Sequence, residues 1–311
     1  MSAVLPALLA AVLSWGAQAA DLSLADSDGS GGASAGDPRA TGILLESPAT
    51  LMLERRYDAQ AGARLGGKDD LTWQVEARDS RTGPVSLSLA YVHRSANPPP
   101  SDEDLPGWRL PDEDLENPIT ETTLAVDLGG GLLDNRLGLA ASAVRYTRET
   151  AFTDLSTTYD GGLGVSGRPI EPLTLALGAV NLLDLFQKGD TFHPLTATFG
   201  AGARSDVASV NAQIQANLHD VADAVPLAWR VGGEVDLIDG KMPLRLGVRH
   251  ELGIPTTYLC AGIGAATPTA TLDYAIVHDL GRDGGASDVT GARTWHSVSV
   301  RVLIPVEDEP K

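Results

Sequence analysis

A single cysteine, Cys260, stands in 311 residues, so no internal disulfide can form, an informative absence in a chain that begins like an exported one. It lies in the strand-like run "TYLCAGIG", where it reads as a small packing residue and not as a nucleophile. Basic residues are scarce: 23 Lys plus Arg face 41 Asp plus Glu, for a net charge of −18. That balance excludes nucleic acid as a partner, because binding a phosphate backbone requires a basic patch. The six histidines, His93, His193, His219, His250, His278 and His296, never fall at a ligand spacing, so no metal site is expected. Beyond residue 20 no run reaches the roughly 18 apolar residues of a membrane helix. The mature chain therefore either leaves the membrane behind or spans it as strands.

What is present begins with "MSAVLPALLAAVLSWGAQAA", residues 1–20, an apolar run closing on Ala17-Gln18-Ala19, the small-x-small pattern read by a signal peptidase. The following composition, with 34 Gly and 19 Pro, suits an all-β protein with many turns. From residue 54 the sequence breaks into fourteen alternating runs of about ten residues. They cover 54–64, 71–79, 85–93, 119–128, 135–146, 157–166, 172–181, 195–204, 207–218, 227–237, 243–251, 256–265, 270–279 and 294–304.

The connections sort by length. Those after strands 2, 4, 6, 8, 10 and 12 are short and include "LIDGKMPL", with its Asp239-Gly240 hairpin signal. Those after strands 3, 5, 7, 9 and 13 are long, the first about 25 residues and the last about 13. The connections after strands 1 and 11 are short exceptions. Long and short connections in alternation, with both termini on the short side, fit a transmembrane barrel with periplasmic turns and extracellular loops. A Greek-key sandwich has no reason to sort them.

The faces agree. In "LTWQVEARD" one parity holds Leu71, Trp73, Val75 and Ala77, the other Thr72, Gln74, Glu76 and Arg78. In a barrel the apolar row meets lipid and the polar row lines the interior. Charges recur on the polar parity elsewhere, among them Glu121, Asp127 and Arg301, and mixed signs suit a polar lumen better than a dry core. The lumen-lining candidates are Gln74, Glu76, Arg78, Asp160, Arg230, Glu234, Asp236, Arg245, Arg249 and Asp273. Aromatics make up only 5% of the chain, so the expected interfacial girdle rests on Trp73, Tyr91, Tyr159, Trp229, Tyr258, Tyr274 and Trp295.

Catalytic signatures are missing. "GASAG", Gly32–Gly36, matches a nucleophile elbow but has neither the preceding strand nor the following helix that would aim the serine. "GLGVSG", Gly162–Gly167, matches a phosphate loop but runs into "RPIEP" where a helix should start. No enzyme and no cofactor are expected. The acidic stretch 101–118, with seven acids and one Arg, and the closing "VEDEP" read as a solvated loop and tail. The competing reading of the loop is a surface facing divalent ions or lipopolysaccharide.

With the strands placed, "ESPATLMLERRYDAQAGAR" (46–64), "DSRTGPVSLSLAYVHR" (79–94), "PLTLALGAVNLLD" (172–184), "WRVGGEVDLIDGKMPLRLGVRHE" (229–251) and "LDYAIVHD" (272–279) resemble the FadL-type outer-membrane barrels, in the branch that includes PorV-like proteins. In that family an Asn-Pro-Ala element leads from an N-terminal plug into the first strand. Ser47, Pro48 and Ala49 stand at the matching place with Ser for Asn, after a plug reduced to "DGSGGASAGDPRATG". The resemblance implies a fourteen-stranded barrel in a Gram-negative outer membrane. It implies either passage of hydrophobic compounds, as in the fatty-acid transporters, or partnership in protein secretion, as in PorV-like members. No substrate-binding residue carries across by motif.

The expectation is an all-β antiparallel transmembrane barrel of about fourteen strands, divided as signal peptide 1–20, plug or linker segment 21–53, barrel 54–304 and acidic tail 305–311. Its expected work is passive transport of small hydrophobic or amphipathic compounds, with outer-membrane lipids around it. The alternative is a non-transporting barrel that joins a secretion or surface protein complex. A secreted soluble β-domain is the third reading.

Overall fold

The computed structural model describes residues 48–66, 70–83, 85–96, 119–150, 153–185, 195–218, 225–251, 256–282 and 294–304. Residues 1–20, expected to be a signal peptide, the Gly-rich segment with Ser47, the acidic stretch 101–118, His193, His219 and residues 305–311 lie outside these residues. Fourteen antiparallel strands close into one barrel. In chain order they are β1 Tyr57–Gly66, β2 Asp70–Asp79, β3 Val85–Ala96, β4 Ile119–Leu132, β5 Leu137–Thr150, β6 Thr153–Ile170 and β7 Leu173–Val180. There follow β8 Thr196–Arg204, β9 Ala208–Asn217, β10 Val225–Leu237, β11 Met242–Glu251, β12 Thr256–Ala266, β13 Ala270–Arg282 and β14 Thr294–Leu303. The seam joins β1 to β14 from Asp58 opposite Leu303 to Leu65 opposite His296, so the sheet keeps no open edge there.

Every strand expected from the alternation occurs, and its bounds lie within four residues of those expected. The largest difference is at the connection after β5, expected to be a long loop. It is the continuation of both strands, with only residues 151–152 between them. The stretch is rich in Thr147, Thr150, Thr153, Thr157 and Thr158, whose branched Cβ favours extended backbone, so the hairpin grows past the barrel rim. The short side is as expected, with connections of two to five residues. Two of these turns bend through left-handed backbone, at Leu133-Asp134-Asn135 and at Ile238-Asp239-Gly240.

The wall is uneven in height. β6 has 18 residues and β7 has 8. β6 pairs with β7 only from Gly162 toward the short-turn end, while its remaining length pairs with β5.

The faces settle as a membrane barrel requires. Val75, Leu89, Leu177 and Val300 are each about half exposed, whereas their strand neighbours Glu76, Ser88, Ala176 and Ser299 are buried. The same side-chain period places most of the large aliphatic groups outward and most of the polar groups inward, as a wall that meets lipid requires. Among the described residues no helix is long and apolar enough to cross a membrane, and the crossing elements are strands.

Trp73 lies beside Tyr91 and His93 on the outer surface, with ring centroids 5.1 and 5.6 Å away. Trp229 stacks on His250 at 5.6 Å, and Tyr274 bonds His296 Nδ1 through its hydroxyl at 2.7 Å. Two of the expected girdle aromatics belong elsewhere. Tyr258 and Trp295 sit on the inward parity of β12 and β14, where Tyr258 is buried and the two rings meet edge to face at 5.8 Å.

Candidate functional site

The interior is built from three parts: a chain segment lodged at the short-turn end, two separate ion-pair clusters, and an apolar track on β3, β4 and β5. The lodged segment is a short 3-10 turn, Pro48–Leu53, that rests inside the barrel against β4, β5, β6 and β7. Ala49, Thr50, Met52 and Leu53 are buried. Ser166 Oγ donates to the Ala49 carbonyl at 2.6 Å, and Ser80 Oγ donates to the Glu54 carbonyl at 2.7 Å. Glu54 also pairs with Arg168 at 3.8 Å. The wall makes room with glycine: a Cβ on Gly129 would stand 2.9 Å from Met52 Cε, and one on Gly138 would collide with the Ala49 carbonyl. Pro48 and Ala49, expected at the entry to the barrel, are thus inside it.

The first ion-pair cluster spans β1 and β2. Arg78 reaches Asp58 at 3.4 Å and Glu76 at 3.5 Å, and Arg56 reaches Asp58 at 2.5 Å. Gln60 Nε2 donates to Glu76 at 2.8 Å, and Gln60 Oε1 accepts from Arg301 Nε at 3.3 Å. The second cluster spans β8, β10, β11 and β13. Arg245 pairs with Glu234 and with Asp273, each at 2.6 Å, while Arg204 pairs with Glu234 at 3.0 Å and Asp236 at 3.2 Å. Desolvating a charge costs roughly several kcal/mol, and pairing of this kind offsets that cost. Beside the second cluster, Arg230 Nη2 donates to Gln215 at 3.0 Å, and the Arg249 guanidinium lies 4.5 Å over the Tyr258 ring.

The ten lumen candidates all fall on the inner face of their strands. Glu76, Arg78 and Gln74 line the β2 wall, and Glu234, Asp236, Arg245 and Asp273 share the second cluster. Arg230 and Arg249 lie nearer the long connections of the same wall. Asp160 stands apart and accepts from the Leu183 amide at 2.9 Å, which ties down the segment that leaves β7. Asp58 and Arg204 complete both clusters yet were not among the candidates. Each sits at a strand end, where alternation is shortest and the parity of a charge is hardest to assign.

The apolar track runs down the inner face of β3, β4 and β5. Val92 and Tyr146 lie toward the long connections, Ala90, Ala125 and Val144 follow one pleat below, and Ala140 with Met52 and Ala49 ends it at the lodged segment. All are buried, so this strip of lumen is not a water-filled hole. At its upper end the Tyr146 hydroxyl donates to Asn181 Oδ1 at 2.9 Å. No group of three or more His, Cys, Asp or Glu side chains that could hold a metal occurs among the described residues.

The barrel superposes on the toluene transporter TbuX of Ralstonia pickettii with a TM-score of 0.61 at 14% identity, covering 89% of this chain and 96% of that one. The chain has the fold of the FadL-type transporters. A FadL homologue of Pseudomonas aeruginosa gives a TM-score of 0.64 at 11% identity over 90% of this chain and 98% of that one. The toluene transporter TodX of Pseudomonas putida gives 0.62 at 11% identity over 89% and 96%. No protein-family model matches the sequence, and neither does any curated protein. The FadL-type likeness is therefore carried by architecture: fourteen strands and closure of β1 on β14.

Proposed function

We propose that this protein is a passive outer-membrane transporter that admits small hydrophobic or amphipathic compounds. The observation that carries the reading is the set of apolar rows on the inner face of β3, β4 and β5, from Val92 and Tyr146 to Met52 and Ala49, inside a largely polar barrel. An apolar solute in water gains about 25 cal/mol for each Å² it buries on such a surface, and no energy source is needed for it to move along it. The likeness to solved structures named as toluene transporters supports the reading. Export through the 1–20 signal and residence in the outer membrane belong to the same proposal. The test is uptake of a labelled small hydrophobe into proteoliposomes, where the expected result is a rate above that of empty liposomes and equality with empty liposomes refutes it.

A second reading is that of a non-transporting subunit of a secretion or surface complex, and one feature favours it. The upper length of β6, Thr153–Gly161, pairs among the described residues with β5 and not with β7, and such an edge offers backbone groups to a partner strand. Stoichiometric co-purification of a second protein after mild extraction would support this reading, and a lone barrel would refute it.

A further inference from the structure

The apolar track is interrupted by one row of polar side chains. Ser88 on β3, Asp127 on β4 and Ser142 on β5 stand directly opposite one another, one pleat below Ala90, Ala125 and Val144 and one pleat above Ala140. Asp127 is fully buried and Ser88 almost so, at 0% and 1% exposure. Both carboxylate oxygens of Asp127, the Ser88 hydroxyl and the Ser142 hydroxyl are withdrawn from solvent and make no hydrogen bond. The charges that bear on Asp127 are Glu76, of like sign, and Arg78, which stands opposite Ser88 and pairs with Asp58 at 3.4 Å and with Glu76 at 3.5 Å. On the β6 side the row ends at Gly162, where a Cβ would collide with the Ser142 hydroxyl, so the glycine makes room for it.

Leaving a buried polar group unpaired is costly, most of all for a carboxylate, so a row of three among the apolar rows is a site that a ligand would complete. An ionised carboxylate only accepts, and a serine hydroxyl can accept. A primary ammonium brings three N–H donors and one positive charge, which matches one carboxylate flanked by two hydroxyls. A carboxylate head would meet Asp127 with like charge, and a plain hydrocarbon would leave the whole row unpaired.

We infer that the row Ser88, Asp127 and Ser142 is a recognition subsite for the ammonium head of an apolar amine, whose hydrocarbon part lies along Ala90, Ala125 and Val144. The inference rests on the transport reading and narrows its substrate class to hydrophobic compounds with a cationic amine.

The test is calorimetric titration of the full chain in lipid nanodiscs with octylamine, octanol and octanoate, with empty nanodiscs subtracted to remove partitioning into lipid. Wild type, Asp127→Asn and the double variant Ser88→Ala with Ser142→Ala are compared, each first shown to be a closed barrel by its heat-modifiable mobility. The expected result is at least tenfold tighter binding of octylamine than of octanol or octanoate, loss of that preference in Asp127→Asn with octanol binding unchanged, and a weaker preference in the double variant. Equal affinity for the three probes, or a preference that survives both variants, overturns the subsite and means the row holds water alone. Octanol binding with no amine preference overturns the subsite but leaves the transport reading standing. Absence of binding by all three overturns both.

Discussion

Gly264 on β12 and Asp273 on β13 stand directly opposite each other, so close that a Cβ on the glycine would overlap the Asp273 carboxylate. The glycine is what lets Asp273 swing toward β11 and meet Arg245. Gly264→Ala is therefore expected to push the carboxylate off its partner and to lower the temperature at which the barrel loses its compact gel mobility. An unchanged transition would show that the pair does not depend on this close approach.

Arg245 serves two carboxylates at once, Glu234 and Asp273. Arg245→Ala leaves both buried without their shared cation, and breaking a buried pair on one side costs about 3–5 kcal/mol. Arg145, on the outward row of β5 opposite Tyr159, provides the control. Urea titration of refolding into bilayers should show a large loss for Arg245→Ala and little change for Arg145→Ala.

Leu89 faces outward between Ser88 and Ala90, which face inward. Leu89→Arg would set a guanidinium in lipid, which costs about 2–4 kcal/mol near the bilayer midplane. The same urea titration measures it. A neutral result would place this row in water and remove the membrane reading of the barrel.

The lodged turn depends on Gly138, over which the Ala49 carbonyl lies. Gly138→Val should drive Pro48–Leu53 out of the short-turn end. Planar-bilayer recording is expected to show a higher ion conductance than wild type, and protease should cut within 48–56 where wild type resists. Unchanged conductance and resistance would show that the turn closes nothing.

Ala125 sits midway along the apolar track. Ala125→Asp adds a charge where a hydrophobe must pass, and uptake of a neutral labelled hydrophobe is expected to fall at least tenfold while the heat-modifiable mobility stays that of a closed barrel. Uptake that survives would move the path away from β3, β4 and β5.

The architecture was open to reading because a period of two is a strong signal where one face meets lipid. Parity separated Leu71, Trp73 and Val75 from Glu76 and Arg78, and the alternation of long and short connections, with charges kept to one parity on other strands, assigned the first row to lipid and the second to the interior. The β5 and β6 extension was hidden by polarity, since Thr147–Thr158 resembles a loop until its branched side chains are weighed. Tyr258 and Trp295 misled because aromatics near strand ends suggest an interface, whereas parity alone turned them inward. The candidate site was less legible. Asp127 is one acid among 41, and its distinction is that neighbours from two other strands bring it hydroxyls and no cation. That is a matter of register across strands up to 54 residues apart in sequence, Ser88 to Ser142, which alternation within one strand does not contain. Gly129 and Gly138 were equally silent, because what they accommodate comes from another part of the chain.

The step from the 18 residues of β6 to the 8 of β7 has a consequence for the surrounding lipid. At about 3.3 Å per residue and a tilt near 40°, β7 spans roughly 20 Å of membrane normal, less than a hydrocarbon core of about 30 Å, while β6 exceeds it. The bilayer beside β7 and β8 must thin, or the barrel axis must lean toward that side until the low wall is covered. Either response gives the protein a preferred azimuth in the membrane, with its tall flank standing proud of the leaflet on the side of the long connections and its low flank drawing lipid inward, toward the place where the segment tied to Asp160 begins.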